Sequence, residues 1–238
     1  MEKPIIGILT GVSSEHYMGK DLTQFYVFND YNTAVLKFGG LPIAIMPTKQ
    51  MDYKKTPKEE ITPLTEEEKN NLIEMIKLCD GFIMPGETRS FEHNYFIDSY
   101  LKENNIPTLG ICLGMQVMAI NSSKEKLTPV NVEGSHFRKM HTVKLEDGVL
   151  KNIIGKDEVD TNSYHSYMVV NPGEYKVVAR SIDGVIEAIE DDKSLFRIGV
   201  QWHPEKDTLD DANKKIFEAF IDASIKYHEN KQKTNYDS

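Results

Sequence analysis

Short apolar segments alternate with longer amphipathic segments along the first half of the chain. Residues 5–9, 43–46, 81–84 and 108–111 are apolar on both faces and are bounded by glycine, proline or polar residues. Such runs are typical of buried strands in a parallel sheet that helices cover on both sides. The pattern therefore predicts four parallel strands in this part of the chain.

The segments between these strands have the periodicity of helices. Thr65, with Glu68 three residues later, matches a capping box, in which each side chain binds the backbone N–H of the other residue. We therefore expect a helix to begin there. Helices are also predicted over residues 21–38 and 95–101, and a last helix is predicted to begin near Asp210.

The second half of the chain has a different pattern. Residues 141–145, 176–180, 185–189 and 197–201 predict strands with few helices between them, and Asp183-Gly184 is a strong hairpin signal between two of these strands. The expected fold is a three-layer α/β domain with a mostly parallel, flavodoxin-like central sheet and an antiparallel extension. Open sheets of this class bind ligands at the carboxyl ends of their strands.

Charge narrows the range of partners. The chain of 238 residues carries 28 lysines and arginines against 37 aspartates and glutamates, a net charge of −9. An acidic chain lacks the positive surface that binds nucleic-acid phosphates or anionic membranes, so neither is an expected partner.

The chain is expected to be a cytoplasmic protein with one domain. Two cysteines cannot build a disulfide scaffold. No apolar run approaches the roughly 18 residues of a membrane span, and the N-terminus does not have the pattern of a signal peptide. With no internal repeat and no evident linker, residues 1–228 are expected to form a single domain, and residues 229–238 a polar tail.

The sharpest chemical feature is a cysteine between two glycines, Gly110 and Gly114, directly after a predicted strand. This spacing is typical of a nucleophile elbow, a tight strand-to-helix turn that raises the side chain above the sheet edge. Glycine is needed two residues to either side because larger side chains would collide with neighbouring backbone. The helix dipole would favour the thiolate form of Cys112. A buried cysteine in a glycine-rich turn is the alternative.

A second feature lies at residues 199–205, where another predicted strand ends. In an extended backbone His203 and Glu205 point the same way, and Pro204 between them stiffens the loop. Glu205 would then orient the imidazole of His203 and stabilise its protonated form, as the third member of a catalytic triad does. A surface turn is the alternative for this motif taken alone.

Together these motifs resemble the class I glutamine amidotransferase superfamily. The order of further motifs is similar to its gamma-glutamyl-gamma-aminobutyrate hydrolase branch, the stand-alone gamma-glutamyl peptidases. The resemblance covers residues 4–227. The further motifs are residues 4–8, 39–42, 80–86, 162–165 and 183–188.

The resemblance implies a triad in which Cys112 is the nucleophile, His203 the base and acid, and Glu205 the orienting group. It also implies that backbone N–H groups stabilise the oxyanion. Leu113, which follows the nucleophile, is one expected donor, and the loop after residues 81–84 supplies another. The expected donors in this loop are Gly86 and Glu87. Relatives usually carry a second glycine at the position of Glu87, so this chain departs from the family pattern there.

The same resemblance suggests residues that contact the substrate. Gln116, one helical turn after the cysteine, would hold the glutamyl group, with helix packing as the alternative. Asn162, Ser163 and His165 fall on a predicted loop that borders the pocket in the family, where His165 could contact the leaving group or have a structural role. Arg89 could neutralise a nearby carboxylate or hold a substrate carboxylate, or could simply face solvent. The amine side of the pocket is expected to come from loops at residues 13–21, 48–63 and 87–93.

No metal and no cofactor are expected. His136 and His141 flank Arg138, but no second pair with ligand spacing accompanies them. A role at the pocket edge is an alternative that the resemblance suggests for both. Cys79, among apolar neighbours at the end of a predicted helix, is expected to be a core residue.

Three functions remain open. The preferred one is a cysteine-dependent hydrolase of gamma-glutamyl amides, such as gamma-glutamyl-GABA, that forms a thioester on Cys112 and releases glutamate. The second is a glutaminase subunit that delivers ammonia to a separate synthase, and the third is a non-catalytic binding module. The expected partner is a small gamma-glutamyl substrate. The amine, the oligomeric state (a homodimer among the options) and the pathway, polyamine catabolism included, stay open.

Overall fold

A computed structural model describes residues 2–53, 55–57, 60–129 and 136–236 of the chain. The elements, in chain order, are β1 (Ile5–Leu9), β2 (Gly11–Tyr17), β3 (Lys20–Tyr26), α1 (Asn29–Lys37), β4 (Leu41–Ile45), α2 (Glu66–Lys77), β5 (Gly81–Met84), α3 (Glu92–Glu103), β6 (Thr108–Ile111), α4 (Leu113–Ser123), β7 (Thr128–Pro129), β8 (Phe137–Leu145), α5 (Val149–Ile154), β9 (Glu158–Tyr164), β10 (Tyr167–Met168), β11 (Lys176–Ser181), β12 (Ile186–Glu190), β13 (Arg197–Val200) and α6 (Asp211–Tyr236).

The central sheet combines a parallel and an antiparallel half. Among the described residues, this sheet contains nine strands in the order β4-β1-β5-β6-β13-β12-β11-β8-β9. The pairs from β4 to β13 are parallel, and those from β13 to β9 are antiparallel. The expected flavodoxin-like sheet with an antiparallel extension is therefore confirmed.

Apolar side chains fill the space on both faces of the sheet. One core contains buried residues of α1, α5 and α6, including Val35, Leu150 and Phe217. The other contains buried residues of α2, α3 and α4, including Leu72 and Met115. Because β1, β5 and β6 are buried along nearly their whole length, their sequences are apolar runs rather than alternating ones. The result is the three-layer arrangement that the sequence predicts.

Two local predictions are confirmed in detail. The Thr65 hydroxyl accepts from the Glu68 N–H at 3.2 Å, and the Glu68 carboxylate accepts from the Thr65 N–H at 2.8 Å, so the capping box begins α2. Gly184 has φ of 86°, a left-handed conformation that suits the turn between β11 and β12.

The helix predicted over residues 21–38 is wrong in its first part, as is the loop predicted over residues 13–21. β2 and β3 form an antiparallel hairpin that includes these residues, and α1 begins only at Asn29. The turn consists of Met18 and Gly19, with φ of 51° and 78°. Methionine is uncommon in such a turn, and most of β3 is exposed, so its sequence lacks the alternation of a half-buried strand.

The loop predicted around Asn162 and Ser163 is also wrong, because both residues lie in β9. The last helix, α6, continues to Tyr236, into the segment expected as a polar tail. The described residues of the segment 48–63 contain neither α-helix nor strand. Within the described part of the chain, no helix is long and apolar enough to cross a membrane.

Candidate active site

Cys112 lies on a strained turn between β6 and α4. Its φ of 51° and ψ of −103° are unusual for a residue other than glycine. The flanking glycines allow this turn, since a Cβ at Gly114 would overlap the carbonyl oxygen of Met84, and one at Gly110 would lie 2.5 Å from Sδ of Met118. Strain of this kind is common at functional sites. The turn has the geometry of a nucleophile elbow.

His203 and Glu205 follow the end of β13, the strand next to β6. The Nδ1 atom of His203 lies 2.7 Å from Oε1 of Glu205, and both side chains are buried. Asn162 fixes the backbone of His203 by two hydrogen bonds: its Nδ2 donates to the His203 carbonyl at 2.8 Å, and its Oδ1 accepts from the His203 N–H at 2.9 Å. The histidine is therefore held through both its ring and its backbone.

The backbone of Gly86 packs against both Cys112 and His203. A Cβ at this position would lie 2.5 Å from Cε1 of His203 and 3.2 Å from Cβ of Cys112. Burial acts to lower the pKa of His203, but its interactions with Cys112 and Glu205 outweigh burial and raise the pKa to about 10. The structure therefore brings a thiol, an imidazole and a carboxylate together, with the imidazole in a setting that favours its protonated form.

The loop after β5 contains Gly86 and Glu87, two of the three residues expected to donate a backbone N–H to an oxyanion. The Gly86 N–H donates to the hydroxyl of Tyr31 at 2.9 Å, so this donor already has a partner. The Glu87 carboxylate accepts from the Tyr26 hydroxyl at 2.8 Å, and burial is the main cause that raises its pKa. Leu113 is the first residue of α4, where a backbone N–H has no partner within the helix.

Gln116 is connected to the sulfur of Cys112 by hydrogen bonds through a second glutamine, Gln201. Its Nε2 donates to Oε1 of Gln201 at 3.0 Å and to the Tyr167 carbonyl at 3.2 Å. The Nε2 of Gln201 in turn donates to Sγ of Cys112 at 3.5 Å. Gln201 was not among the residues that the sequence suggested, although it precedes His203 by two positions in the same motif.

Two other predicted contact residues, Ser163 and His165, are held by hydrogen bonds within the chain, whereas Arg89 keeps nitrogens without a partner among the described residues. The Ser163 hydroxyl donates to the His136 carbonyl at 2.5 Å. The Nδ1 of His165 lies 2.9 Å from the Tyr167 carbonyl. The guanidinium of Arg89 lies over a phenylalanine ring, 4.8 Å from its centroid, and its buried Nε and Nη2 atoms have no hydrogen-bond partner among the described residues.

Tyr31 is a further residue that sequence analysis missed. Its hydroxyl accepts from Gly86, and its pKa is raised well above the ordinary value, chiefly by burial and then by the charge of Glu205. Tyr31 is 174 positions from Glu205 along the chain, so no local pattern could have indicated the contact.

A comparison with known families identifies the family to which this chain belongs. The model of the family "Glutamine amidotransferase class-I" matches residues 49–223. The chain belongs to the class-I glutamine amidotransferase family. The superfamily expected from the motifs is thereby confirmed.

The curated relatives of this family member include the CTP synthases of Staphylococcus aureus strains NCTC 8325 / PS 47 and JH9. Each is 27% identical over 236 residues, which cover 82% of this chain and 42% of the relative. The chain thus spans about two fifths of the length of these relatives.

Solved structures support the fold of this amidotransferase. A Thermoplasma acidophilum protein assigned as a subunit of GMP synthase is similar with a TM-score of 0.67 and 15% identity, over 98% of this chain and 99% of the other. The glutaminase domain of Trypanosoma brucei CTPS with bound acivicin is similar with a TM-score of 0.61 and 19% identity, over 94% of each chain.

Proposed function

We propose that this chain is a glutaminase that hydrolyses the side-chain amide of glutamine through a thioester on Cys112. The observation that carries the proposal is the position of Cys112 on the elbow, with His203 beside it and Glu205 2.7 Å from the histidine ring. The intact set of three groups also argues against a purely non-catalytic module.

The chemistry follows from the protonation of His203. With the pKa of His203 raised to about 10, the imidazole is protonated at neutral pH and can stabilise a negative charge on the sulfur beside it. The thiolate attacks the γ-carbonyl carbon, and the oxyanion is stabilised by backbone N–H groups, with Leu113 as the first candidate donor. The amine then leaves with the proton of His203. Water, activated by the now neutral imidazole, cleaves the thioester and yields glutamate and the free thiol group.

The ammonia released from glutamine would serve a separate synthase. The CTP synthase relatives and the glutaminase domain of the trypanosomal CTPS favour this assignment over a stand-alone peptidase.

Cleavage of larger gamma-glutamyl amides, such as gamma-glutamyl-GABA, is the second candidate. One observation favours it: the guanidinium of Arg89, in the loop that follows β5, keeps buried nitrogens without partners among the described residues. A guanidinium of this kind suits a carboxylate, either on the glutamyl group or on the amine.

The experiment compares glutamine with a panel of gamma-glutamyl amines, with free glutamate as the readout. We expect glutamate release from the purified chain, and essentially complete loss of turnover in Cys112→Ala. Cys79→Ala is the matched control, because Cys79 is a buried core residue and should keep the activity. Turnover by the Cys112→Ala protein near the level of the unmodified chain would refute the proposal.

The same panel separates the two candidates. Preference for glutamine would support the glutaminase, as would a rate that rises when a candidate synthase is added. Rapid cleavage of a gamma-glutamyl amine by the chain alone, with glutamine a poor substrate, would support the gamma-glutamyl hydrolase instead.

A further inference from the structure

A second cluster of ionisable side chains lies in the antiparallel half of the molecule. It consists of His136 and His141 at β8, His165 after β9, and Glu187 in β12. We call these four residues the His–Glu cluster. His136, His165 and Glu187 are buried, and the side chain of His141 is 15% exposed. None of them belongs to the Cys112 site.

The three histidine side chains converge on one oxygen of the Glu187 carboxylate. Oε1 of Glu187 lies 3.4 Å from Nδ1 of His136, 3.7 Å from Nε2 of His141 and 3.5 Å from Nε2 of His165. The rings of His136 and His141 are 5.0 Å apart between centroids, and those of His136 and His165 are 4.9 Å apart. The ligand atoms of His136, His165 and Glu187 lie within 4.8 Å of one another, and Nε2 of His141 approaches the same carboxylate oxygen.

These atoms have no hydrogen-bond partner within the described part of the chain. The unpartnered atoms are Nδ1 of His136, Nε2 of His141, Nε2 of His165 and both carboxylate oxygens of Glu187. Burying one polar group without a partner costs about 1–3 kcal/mol. Five such atoms at one point indicate that a partner of another kind belongs between them.

The outer contacts of two histidines decide which of their nitrogens face the centre as acceptors. Nδ1 of His165 lies 2.9 Å from the carbonyl of Tyr167, which can only accept, so Nδ1 carries the proton. Nε2 of His136 lies 2.8 Å from a carboxylate oxygen of Asp183 and likewise donates. In the neutral rings the opposite nitrogens then direct lone pairs at Glu187, which is a repulsive arrangement unless a positive charge lies between them.

We propose that the His–Glu cluster binds a divalent transition-metal ion, with Zn²⁺ as the ion that fits best. Ligands at about 2.0–2.1 Å from a tetrahedral centre lie about 3.3–3.4 Å from one another. The distances from Oε1 of Glu187 to the three histidine nitrogens, 3.4–3.7 Å, are close to this spacing. Three imidazoles and one carboxylate suit Zn²⁺ better than Mg²⁺ or Ca²⁺, which prefer oxygen ligands.

The surroundings have the features of a metal site. Metal-binding histidines usually donate their other N–H to a carboxylate or a carbonyl, as His136 does to Asp183 and His165 does to Tyr167. Asp183 is itself held by the Ser181 hydroxyl, which donates to its carboxylate at 2.5 Å. With four protein ligands the site is closed, so its role is structural.

The ion would join β8, β9 and β12 behind the catalytic histidine. The Glu187 carbonyl accepts from the Gln201 N–H at 2.7 Å, and Gln201 donates to the sulfur of Cys112. The His136 carbonyl accepts from Ser163 in β9. Binding at this cluster is therefore expected to stabilise the fold around the active site without touching the substrate.

The test measures metal binding directly and does not depend on the proposed glutaminase activity. The chain is prepared without a histidine tag, and its metal content is measured by elemental analysis. It is then stripped with a chelator and titrated with Zn²⁺ against a chromophoric competitor, and separately with Co²⁺. We expect about one Zn²⁺ per chain, and intense visible absorption of tetrahedral Co²⁺ that Zn²⁺ abolishes.

Two cluster variants and one matched control complete the experiment. Glu187→Gln keeps the shape of the carboxylate, and His141→Gln changes the least buried ligand. Both are expected to weaken Zn²⁺ affinity by at least about tenfold. His228→Gln is the control, because the side chain of His228 is 20% exposed, lies outside the cluster and pairs with Asp80; its affinity should not change.

The outcomes are decisive even if a variant does not fold. If the stripped chain, still folded, takes up no Zn²⁺ or Co²⁺ at stoichiometric concentration, the proposal is wrong and protons balance the charge of Glu187. Equal affinity in the chain and in folded Glu187→Gln and His141→Gln would also overturn it. Chelation that lowers the unfolding midpoint of the chain, but not that of Glu187→Gln, would support it.

Discussion

Replacing Glu205 by glutamine tests whether its charge keeps His203 protonated. The substitution keeps the shape of a buried side chain that lies 2.7 Å from Nδ1 of His203, but it removes the negative charge. Burial, which lowers the pKa of His203, then acts with one opposing interaction fewer. We therefore expect the pKa of His203 to fall from about 10, so that Cys112 loses a positively charged neighbour near neutral pH.

The expected magnitude follows from the lost interaction. A hydrogen bond to a charged group contributes about 1.5–3 kcal/mol, and about 1.4 kcal/mol corresponds to a factor of ten. Glu205→Gln should thus lower kcat/KM for glutamine by about 10- to 150-fold. Glu218→Gln is the control, because Glu218 is an exposed residue of α6 that forms an ion pair within that helix. Its activity should not change.

A second assay needs no substrate. The rate of alkylation of Cys112 by iodoacetamide is followed by mass spectrometry between pH 5 and 9. At neutral pH we expect a lower rate in Glu205→Gln than in the unmodified chain, because the positive charge of His203 that stabilises an anionic sulfur is reduced. The difference should be smaller at the acidic end, where His203 is protonated in both proteins. Burial raises the pKa of Cys79 to about 12, so Cys79 is an internal unreactive control. Identical pH profiles in the two proteins would refute the reasoning.

Three further predictions concern residues that support the site or the fold. Gly86→Ala places a Cβ 2.5 Å from the His203 ring; it should lower kcat/KM at least about tenfold in a protein with unchanged circular dichroism, and full activity would contradict the packing. Asn162→Ala removes both hydrogen bonds to the His203 backbone and should lower kcat more than it raises KM in steady-state assays; a change in KM alone would indicate a substrate contact instead. His93 is buried and its pKa is lowered to about 4, so between about pH 4 and 6.5 the unfolded chain binds a proton that the folded chain does not. Stability should fall in this window as the pH decreases, by about 1.4 kcal/mol per pH unit. His93→Phe should reduce that slope in urea unfolding, whereas an unchanged slope would show that other groups cause it.

The parallel half of the fold was predictable because burial leaves a direct trace in the sequence. Strands covered on both faces must be apolar at every position, and β1, β5 and β6 have the bounds that the apolar runs indicate. The same reasoning fails for β2 and β3, whose side chains are largely exposed. β9 is half-buried, but its inward positions include Thr161 and Ser163. Hydroxyl groups there hide the alternation that marks such a strand.

The candidate site was predictable only where its residues are close along the chain. Cys112 with its glycines, and His203 with Glu205, are short motifs whose geometry follows from local backbone rules. Gln201 and Tyr31 reach the site through tertiary contacts. The His–Glu cluster was missed for the same reason. His136 and His141 have the spacing of a ligand pair, but the other two members, His165 and Glu187, follow 24 and 46 positions after His141 and reach the pair only through the fold.

Strand β9 connects the two sites through adjacent residues. Neighbouring side chains on a strand point to opposite faces, and here Asn162 holds the backbone of His203 while Ser163 holds that of His136. The orientation of the His203 imidazole therefore depends on the position of a strand whose other face contacts the His–Glu cluster. Since Gln201 links the cluster to the sulfur along a second route, loosening the cluster should disturb the geometry at Cys112 from both sides, before it unfolds the parallel half of the sheet.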